Sequence, residues 1–166
     1  MARNVFFSFH FDNDFWRTQQ VRNIGAIEGQ KLYKPNEWEE VKKKGNAAIE
    51  QWIDDSLVGK SCVIVLVGSQ TATRPWVIKE ITKGWNAGKG VLGIRINSLL
   101  DTSGKPSQAG LNPFEYITLE NGASKLSSQA QLKVPYGSTS KEVYASIQAN
   151  IESWIEDAIK IRNSYK

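Results

Sequence analysis

Glu80 is the residue of this sequence whose type and position best suit chemistry. It lies in "RPWVIKEITKGW" (74–85), one helical turn after Trp76, and this stretch follows the strongly apolar run "CVIVLVGS". A carboxylate beside the end of a buried strand can orient the hydroxyl groups of a ligand or stabilise developing positive charge. The alternative is a solvated helix face, on which Glu80 pairs with Lys83 at i, i+3. Spacing alone favours that surface pair.

Other motifs that carry chemistry are absent from the sequence. It contains no GxxxxGK phosphate loop, no G-x-G-x-x-G after the first apolar run and no G-x-S-x-G elbow. Asp12 and Asp14 follow that first run, as in phosphoacceptor receiver domains, but the run at 62–68 has no aspartate at its end to receive a phosphoryl group. With one His and one Cys, the chain is not expected to bind a metal or to form an internal disulfide.

Composition indicates a packed globular protein. Apolar residues make up 40% of the 166 residues, and six Trp, six Phe and five Tyr are among them. No apolar run approaches the 18 or so residues of a membrane span, and "MARNVFFSFHF" lacks the cleavage site of a signal peptide. The net charge of +4 is modest and no nucleic-acid motif occurs. We therefore expect a cytoplasmic protein that binds neither a membrane nor a nucleic acid.

Three apolar runs predict strands that are covered on both faces, as in a parallel sheet. They span 4–11, 62–68 and 90–96, and weaker strands are predicted at 30–33 ("QKLY") and 115–119 ("EYITL"). Between and after them, helical spacing predicts helices over 14–24, 46–57, 76–88 and from 143 to the C-terminus. Trp16 and Trp154 are expected in the core. The sequence thus predicts one α/β domain over residues 1–166.

Ligands of open α/β sheets bind beyond the carboxyl ends of the strands, which directs attention to the segments after residues 11, 33, 68 and 96. In the helix that follows 62–68, Val77, Ile81 and Trp85 recur at i, i+4 and i+8 and are expected to face the sheet. Trp76 and Glu80 then form a neighbouring stripe at the edge of the core. Glu80 is therefore expected close to the ligand-binding edge.

Two segments carry a family resemblance. "VFFSFHFDND" resembles the first box of a TIR domain, and "VIVLVGSQTATRPWVIKEI" resembles the TIR segment in which Trp is followed by Glu four residues later. The longer stretches "FFSFHFDNDFWRTQQVRN" and "GSQTATRPWVIKEI" are similar to the bacterial TIR-like proteins of the Thoeris antiphage system. The resemblance extends through "GLNPFEYITL" and the closing helix. It implies a flavodoxin-like three-layer fold with a parallel sheet of about five strands.

The same resemblance implies cleavage of NAD+ at the bond between ribose and nicotinamide, with Glu80 as the catalytic residue. Nicotinamide leaves as a neutral molecule, so that one carboxylate is sufficient, whereas glycosidases need a second carboxyl group to protonate the leaving group. NAD+ is then a substrate, and no cofactor is expected. The residues expected to bind substrate lie at or after the ends of the first, second and third strands: Ser8, Phe9, His10, Phe11, Asp12, Trp38, Ser69 and Trp76. Structural roles remain open for some of them: Ser8 and Asp12 could cap and brace the first crossover, Trp38 could stack on a neighbouring subunit, and Trp76 could buttress the start of its helix.

By resemblance, the product is a cyclic ADP-ribose-like nucleotide that acts in antiphage defence and reaches a separate effector by diffusion. The resemblance also implies self-association or assembly with other TIR domains. Two alternatives remain at this point: a TIR-like module that works by protein–protein interaction with Glu80 incidental, and a domain that senses a nucleotide without turnover.

Overall fold

A computed structural model describes residues 3–25, 27–29, 40–120 and 122–165. Strands and helices alternate along most of the chain, and two short 3-10 helices precede the last strand. The elements in chain order are β1 (Arg3–Phe9), α1 (Phe11–Arg22), β2 (Ile27–Gly29), α2 (Asn46–Leu57), β3 (Cys62–Val67), α3 (Pro75–Asn86), β4 (Gly90–Arg95), the 3-10 helices Pro113–Tyr116 and Leu126–Ser128, β5 (Gln131–Lys133) and α4 (Ser140–Ser164).

The five described strands form one sheet in the order β2-β1-β3-β4-β5, and every pairing is parallel. This is the strand order of flavodoxin-like folds. Ser8 of β1 is in register with Val65 of β3, and Phe9 with Leu66, so that the two strands end together. The predicted flavodoxin-like α/β fold with about five parallel strands is confirmed.

The sheet has a buried cluster on each face, which explains the uninterrupted apolar run of β3. Side chains alternate between the two faces of a strand. Cys62, Ile64 and Leu66 belong to the cluster covered by α1 and α4, whereas Val63, Val65 and Val67 belong to the cluster covered by α2 and α3. The same alternation sets the direction of β1. Phe6 lies in the cluster with α2 and α3, and Ser8, two residues later, points to the same face.

Most of the predicted elements are confirmed, with small changes of bounds. The helix predicted from Asp14 begins three residues earlier, at Phe11. The second strand observed is Ile27–Gly29, and the predicted strand at 30–33 lies outside the described residues. Trp154 is partly buried against the core. Trp16 was expected in the core, but it is 52% exposed, because α1 turns its other face to the sheet.

The predicted fifth strand at 115–119 is wrong. Residues Pro113–Tyr116 form a 3-10 helix, whose first backbone N–H, at Phe114, donates to the side chain of Asn112. Ile117 and Leu119 alternate because both pack into the cluster with α2 and α3, not because they belong to the sheet. The fifth strand is Gln131–Lys133, next to β4. Within the described part of the chain, no helix combines the length and the apolar character that a membrane span requires.

Candidate active site

Glu80 and Ser8 meet at the carboxyl edge of the sheet. The apolar stripe of α3, with Val77 and Ile81 buried, holds that helix against the face to which Ser8 points. Glu80 is consequently buried, with 8% of its surface exposed, and Ser8 is fully buried. The Oγ of Ser8 donates a hydrogen bond of 2.7 Å to Oε1 of Glu80. Two residues 72 positions apart in sequence thus form one buried polar unit.

The Glu80 carboxyl group has no cation beside it among the described residues. Burial raises its pKa to about 8, and the hydrogen bond from Ser8 opposes this shift. The two lysines nearest in sequence on α3 bind elsewhere: Lys79 donates to Glu50 and Lys83 to Asp54, both on α2. The interpretation of Glu80 and Lys83 as a surface pair is therefore wrong, and Glu80 does not lie on a solvated face.

The turn between β3 and α3 fixes where that helix begins. The backbone N–H of Gly68 donates to Oγ1 of Thr71 at 2.8 Å, and Pro75 occupies the first turn of the helix, where a missing N–H is tolerated. Trp76 follows, half-buried against the cluster with α2 and α3, with Nζ of Lys79 5.5 Å from its ring centroid. Trp76 therefore lies one turn before Glu80 on the same side of the helix.

Aromatic residues surround the end of β1. Phe9, His10 and Phe11 are half-buried at the step from β1 to α1. The ring centroids of Phe9 and Phe11 are 6.0 Å apart, and those of Phe11 and Phe15 are 5.1 Å apart. The backbone carbonyl of His10 accepts from the N–H of Asp14 and so starts the helix. This edge of the sheet combines apolar rings with the polar unit of Ser8 and Glu80.

Ser69 connects the end of β3 to α1. Its Oγ accepts a hydrogen bond of 3.3 Å from Nδ2 of Asn13. Asn13 also donates to Asp14. Sequence reasoning missed Asn13, because nothing in its local pattern separates it from an ordinary residue of the first helical turn. The hydrogen bond between Asn13 and Ser69 links the first turn of α1 to the turn after β3.

A buried ion pair near the same edge was also not predicted from the sequence. Nη1 of Arg17 lies 2.9 Å from Oδ1 of Asp14, with side-chain exposures of 3% and 0%. Burial raises the pKa of Asp14, and the hydrogen bond from Arg17 opposes this shift. Arg17 also donates to the backbone carbonyls of Leu99 and Lys105, in the loop that follows β4. The pair therefore fastens that loop to α1.

The residues predicted to form a site are partly brought together. Ser8 and Glu80 are in direct contact, and Phe9, His10, Phe11, Ser69 and Trp76 lie at the adjoining ends of β1, β3 and α3. Asp12 lies in the first turn of α1. Trp38 is outside the described residues. The role of each of these residues towards a ligand stays a prediction.

Comparison with known proteins identifies the family of the chain. The chain matches the family model for the TIR-like domain of Thoeris protein ThsB over residues 6–101. It is also similar to a protein of Bacillus cereus (strain MSX-D12) whose name provisionally assigns it as a cyclic ADP-D-ribose synthase, ThsB1. The two are 37% identical over 123 residues, which are 70% of this chain and 64% of that protein, slightly under two thirds of its length. Because the family model matches more than half of the chain, the chain belongs to the TIR-like family of Thoeris ThsB proteins.

Proposed function

We propose that this protein is a TIR-type NAD+ glycohydrolase or cyclase that cleaves the bond between ribose and nicotinamide, with Glu80 as its catalytic residue. The observation that carries the proposal is a buried carboxyl group at the carboxyl edge of a parallel sheet, with Ser8 as its hydrogen-bond partner and no cation beside it among the residues that the structure describes. The name of the Bacillus cereus relative, a cyclic ADP-D-ribose synthase, supports the same reaction.

The chemistry fits a single carboxylate. Breaking the bond between C1′ of the ribose and the nicotinamide nitrogen develops positive charge on the sugar, as in glycoside hydrolysis. The bonding electrons go to the pyridinium nitrogen, and nicotinamide leaves neutral without a proton. Glu80 in its ionised form would stabilise the charged sugar and orient its hydroxyl groups. Because a nearby positive charge favours the ionised form of a carboxyl group, the cationic pyridinium of NAD+ would lower the pKa of Glu80 on binding.

Residues at the ends of β1 and β3 and at the start of α3 suit the two parts of such a substrate. A flat, cationic ring stacks well against aromatic side chains. Trp76 supplies such a ring one turn before Glu80, and Phe9 and Phe11 supply two more at the step from β1 to α1. Polar groups of Ser69 and His10 lie at the same strand ends. We propose these residues, with Asp12 and Trp38, as the substrate-binding set. NAD+ enters as a substrate, not as a retained cofactor.

The second product depends on which nucleophile reaches C1′. Water gives ADP-ribose, whereas an adenine nitrogen or a ribose hydroxyl of the same molecule gives a cyclic isomer. The name of the relative favours the cyclic product for this chain. Such a nucleotide would diffuse to a separate effector in antiphage defence, in a cytoplasm that supplies NAD+. Assembly with further copies or with other TIR domains would complete or activate the site.

The test is mass spectrometry of purified protein incubated with NAD+, at high protein concentration and in lysate from phage-infected cells. We expect nicotinamide and an ADP-ribose isomer from the wild type, and a fall in turnover of at least about 100-fold in Glu80→Gln. Glu152→Gln, an exposed change of the same kind on α4, is the matched control and should keep full turnover.

Circular dichroism and size-exclusion chromatography of the variants would separate loss of chemistry from loss of fold or assembly. A folded, assembled wild type that leaves NAD+ intact in both settings would contradict the proposal and would favour the protein–protein interaction module. Equal turnover in Glu80→Gln and the wild type would contradict the catalytic role of Glu80.

A further inference from the structure

We propose that Ser8 acts through Glu80 rather than on the substrate: its hydroxyl holds Oε1 of Glu80, so that Oε2 is the oxygen presented to the ribose. This inference rests on the proposed function and deepens it by assigning Ser8 as a positioning residue. The sequence left two roles open for Ser8, contact with the ligand and bracing of the first crossover, and positioning of Glu80 replaces both.

The burial of Ser8 indicates that its hydroxyl does not contact the substrate. Ser8 is fully buried, on a strand flanked on both sides by paired neighbours, β2 and β3. Its hydroxyl has one proton to donate, and that proton is used in the 2.7 Å bond to Glu80, a typical length for a strong O–H···O hydrogen bond. A hydroxyl without exposed surface is in no position to meet an incoming ligand.

The two oxygens of Glu80 have different surroundings. Oε1 accepts from Ser8 inside the protein. No hydrogen bond among the described residues ends on Oε2, and 8% of the Glu80 residue surface is exposed. One oxygen is therefore held by Ser8, and the other has no hydrogen-bond partner in the described part of the chain. A long, flexible side chain held in this way loses little further conformational freedom when a substrate binds.

In the part of the chain that the structure describes, Ser8 is the side chain that bonds to Glu80, and no charged group lies beside it. On α3, Lys79 and Lys83 are engaged with Glu50 and Asp54 of α2. Other charged groups near these elements also bond elsewhere: Arg3, at the opposite end of β1, pairs with Glu156, and Asp14 pairs with Arg17. Arg74, just before α3, donates to Gln70, and Arg95 of β4 donates to Gly110. β3 has no charged side chain, and His10 lies just beyond the end of β1. Ser8 is thus the group that stabilises the ionised form of Glu80 and lowers its pKa against the effect of burial.

The test compares Ser8→Ala, which removes the hydroxyl, with Ser8→Thr, which restores it. We expect Ser8→Ala to lower kcat about tenfold with little change in KM, and to move the rise of kcat/KM with pH upwards by about one unit. Ser8→Thr should return both towards the wild type. Thr82→Ala is the matched control, because it removes a hydroxyl from α3 that bonds to Ile78 and not to Glu80.

A second readout does not depend on turnover. The side-chain carboxyl signal of Glu80, identified by its loss in Glu80→Gln, is titrated by NMR in protein labelled with ¹³C at glutamate. We expect the pKa of Glu80 to be higher in Ser8→Ala than in the wild type and unchanged in Thr82→Ala. If the wild type titrates as expected but does not cleave NAD+, the positioning by Ser8 stands and the proposed function fails.

Two results would overturn the inference. One is a pKa of Glu80 that is the same in Ser8→Ala and in the wild type. The other is a Ser8→Ala variant that raises KM strongly with kcat unchanged, because that pattern indicates lost contact with the substrate.

Discussion

A carboxyl group buried without a cation destabilises the fold that contains it, because its charged form loses hydration and gains no opposite charge in return. Within the described ranges no cation lies beside Glu80, and one hydrogen bond from Ser8 offsets only part of this cost. A glutamine at the same place would keep the shape without the cost. A residue that lowers stability and lies at the ligand-binding edge of a sheet is typical of a functional site.

The first prediction at the scale of the residue concerns stability and pH. The pKa of Glu80 is raised from 4.5 to about 8 in the folded protein. Between these values the unfolded chain releases the proton that the folded protein keeps, so the contribution of Glu80 to stability falls as the pH rises. The slope approaches about 1.4 kcal/mol per pH unit within this window and vanishes on either side of it.

Urea unfolding at intervals from pH 5 to pH 9 measures this effect. We expect the free energy of unfolding of Glu80→Gln, relative to the wild type, to increase from pH 5 to about pH 8 and then to level off. For Glu152→Gln, on the exposed side of α4, the free energy of unfolding should change with pH in the same way as for the wild type. A constant difference between Glu80→Gln and the wild type over the whole range would mean that Glu80 titrates normally.

Sequence could place Glu80 but could not describe its surroundings. The apolar stripe of α3 and the end of β3 are local patterns, and they put Glu80 at the carboxyl edge. Its partner Ser8 is distant in sequence, and their contact depends on how closely α3 packs against β1. Asp14 and Arg17 show the same limit. An acidic and a basic residue at i, i+3 on a helix are usually exposed, whereas here both are buried. The Asp14 carboxylate lies against Gly68 after β3, and Arg17 lies against the loop after β4.

That pair gives a prediction at the scale of the element. Arg17 joins α1 to the loop after β4 through Leu99 and Lys105. Arg17→Met would leave the Asp14 carboxylate buried without its cation, and we expect a loss of about 3–5 kcal/mol in the free energy of unfolding. Arg3→Met is the control, because Arg3 and Glu156 form an ion pair at 2.7 Å in which each side chain is 45% exposed.

Urea unfolding of the two variants, with the wild type alongside, makes the comparison. We expect Arg3→Met to remain close to the wild type, since exposed pairs contribute little. Hydrogen exchange should also show faster exchange in the loop after β4 for Arg17→Met. Similar unfolding curves for Arg17→Met and Arg3→Met would show that the buried pair of Asp14 and Arg17 contributes no more to stability than the exposed pair of Arg3 and Glu156.

Elements were predicted best where their pattern is long. The three strands and four helices with clear periodicity are where the sequence indicated, within a few residues at each end. The edge strands β2 and β5 have three residues each, too few for a period to be recognised. The predicted strand at 115–119 failed because Pro113 and the Asn112 side chain favour a 3-10 turn there.

At the scale of the whole molecule, the family model matches only part of the chain, whereas the buried core includes residues beyond that part. The match ends at residue 101, before β5 and α4. Yet α4 supplies Val143, Ile147, Ile151 and Ile155 to the cluster on one face of the sheet. Without α4, that face of β1, β3 and β4 would keep only the cover that α1 gives it. We therefore predict that α4 is an integral part of one domain over residues 1–166.

Substitution of Ile151 tests this prediction. Ile151 is fully buried, and removing its side chain leaves a cavity against the sheet. We expect Ile151→Ala to lower the free energy of unfolding by about 2–5 kcal/mol, while Glu152→Ala, the next and exposed position, changes it little. Far-ultraviolet circular dichroism and tryptophan fluorescence should report one coincident transition in both variants. If Ile151→Ala instead lost only the helical signal of α4, in a separate early transition, α4 would fold independently of the sheet and the single-domain prediction would be wrong.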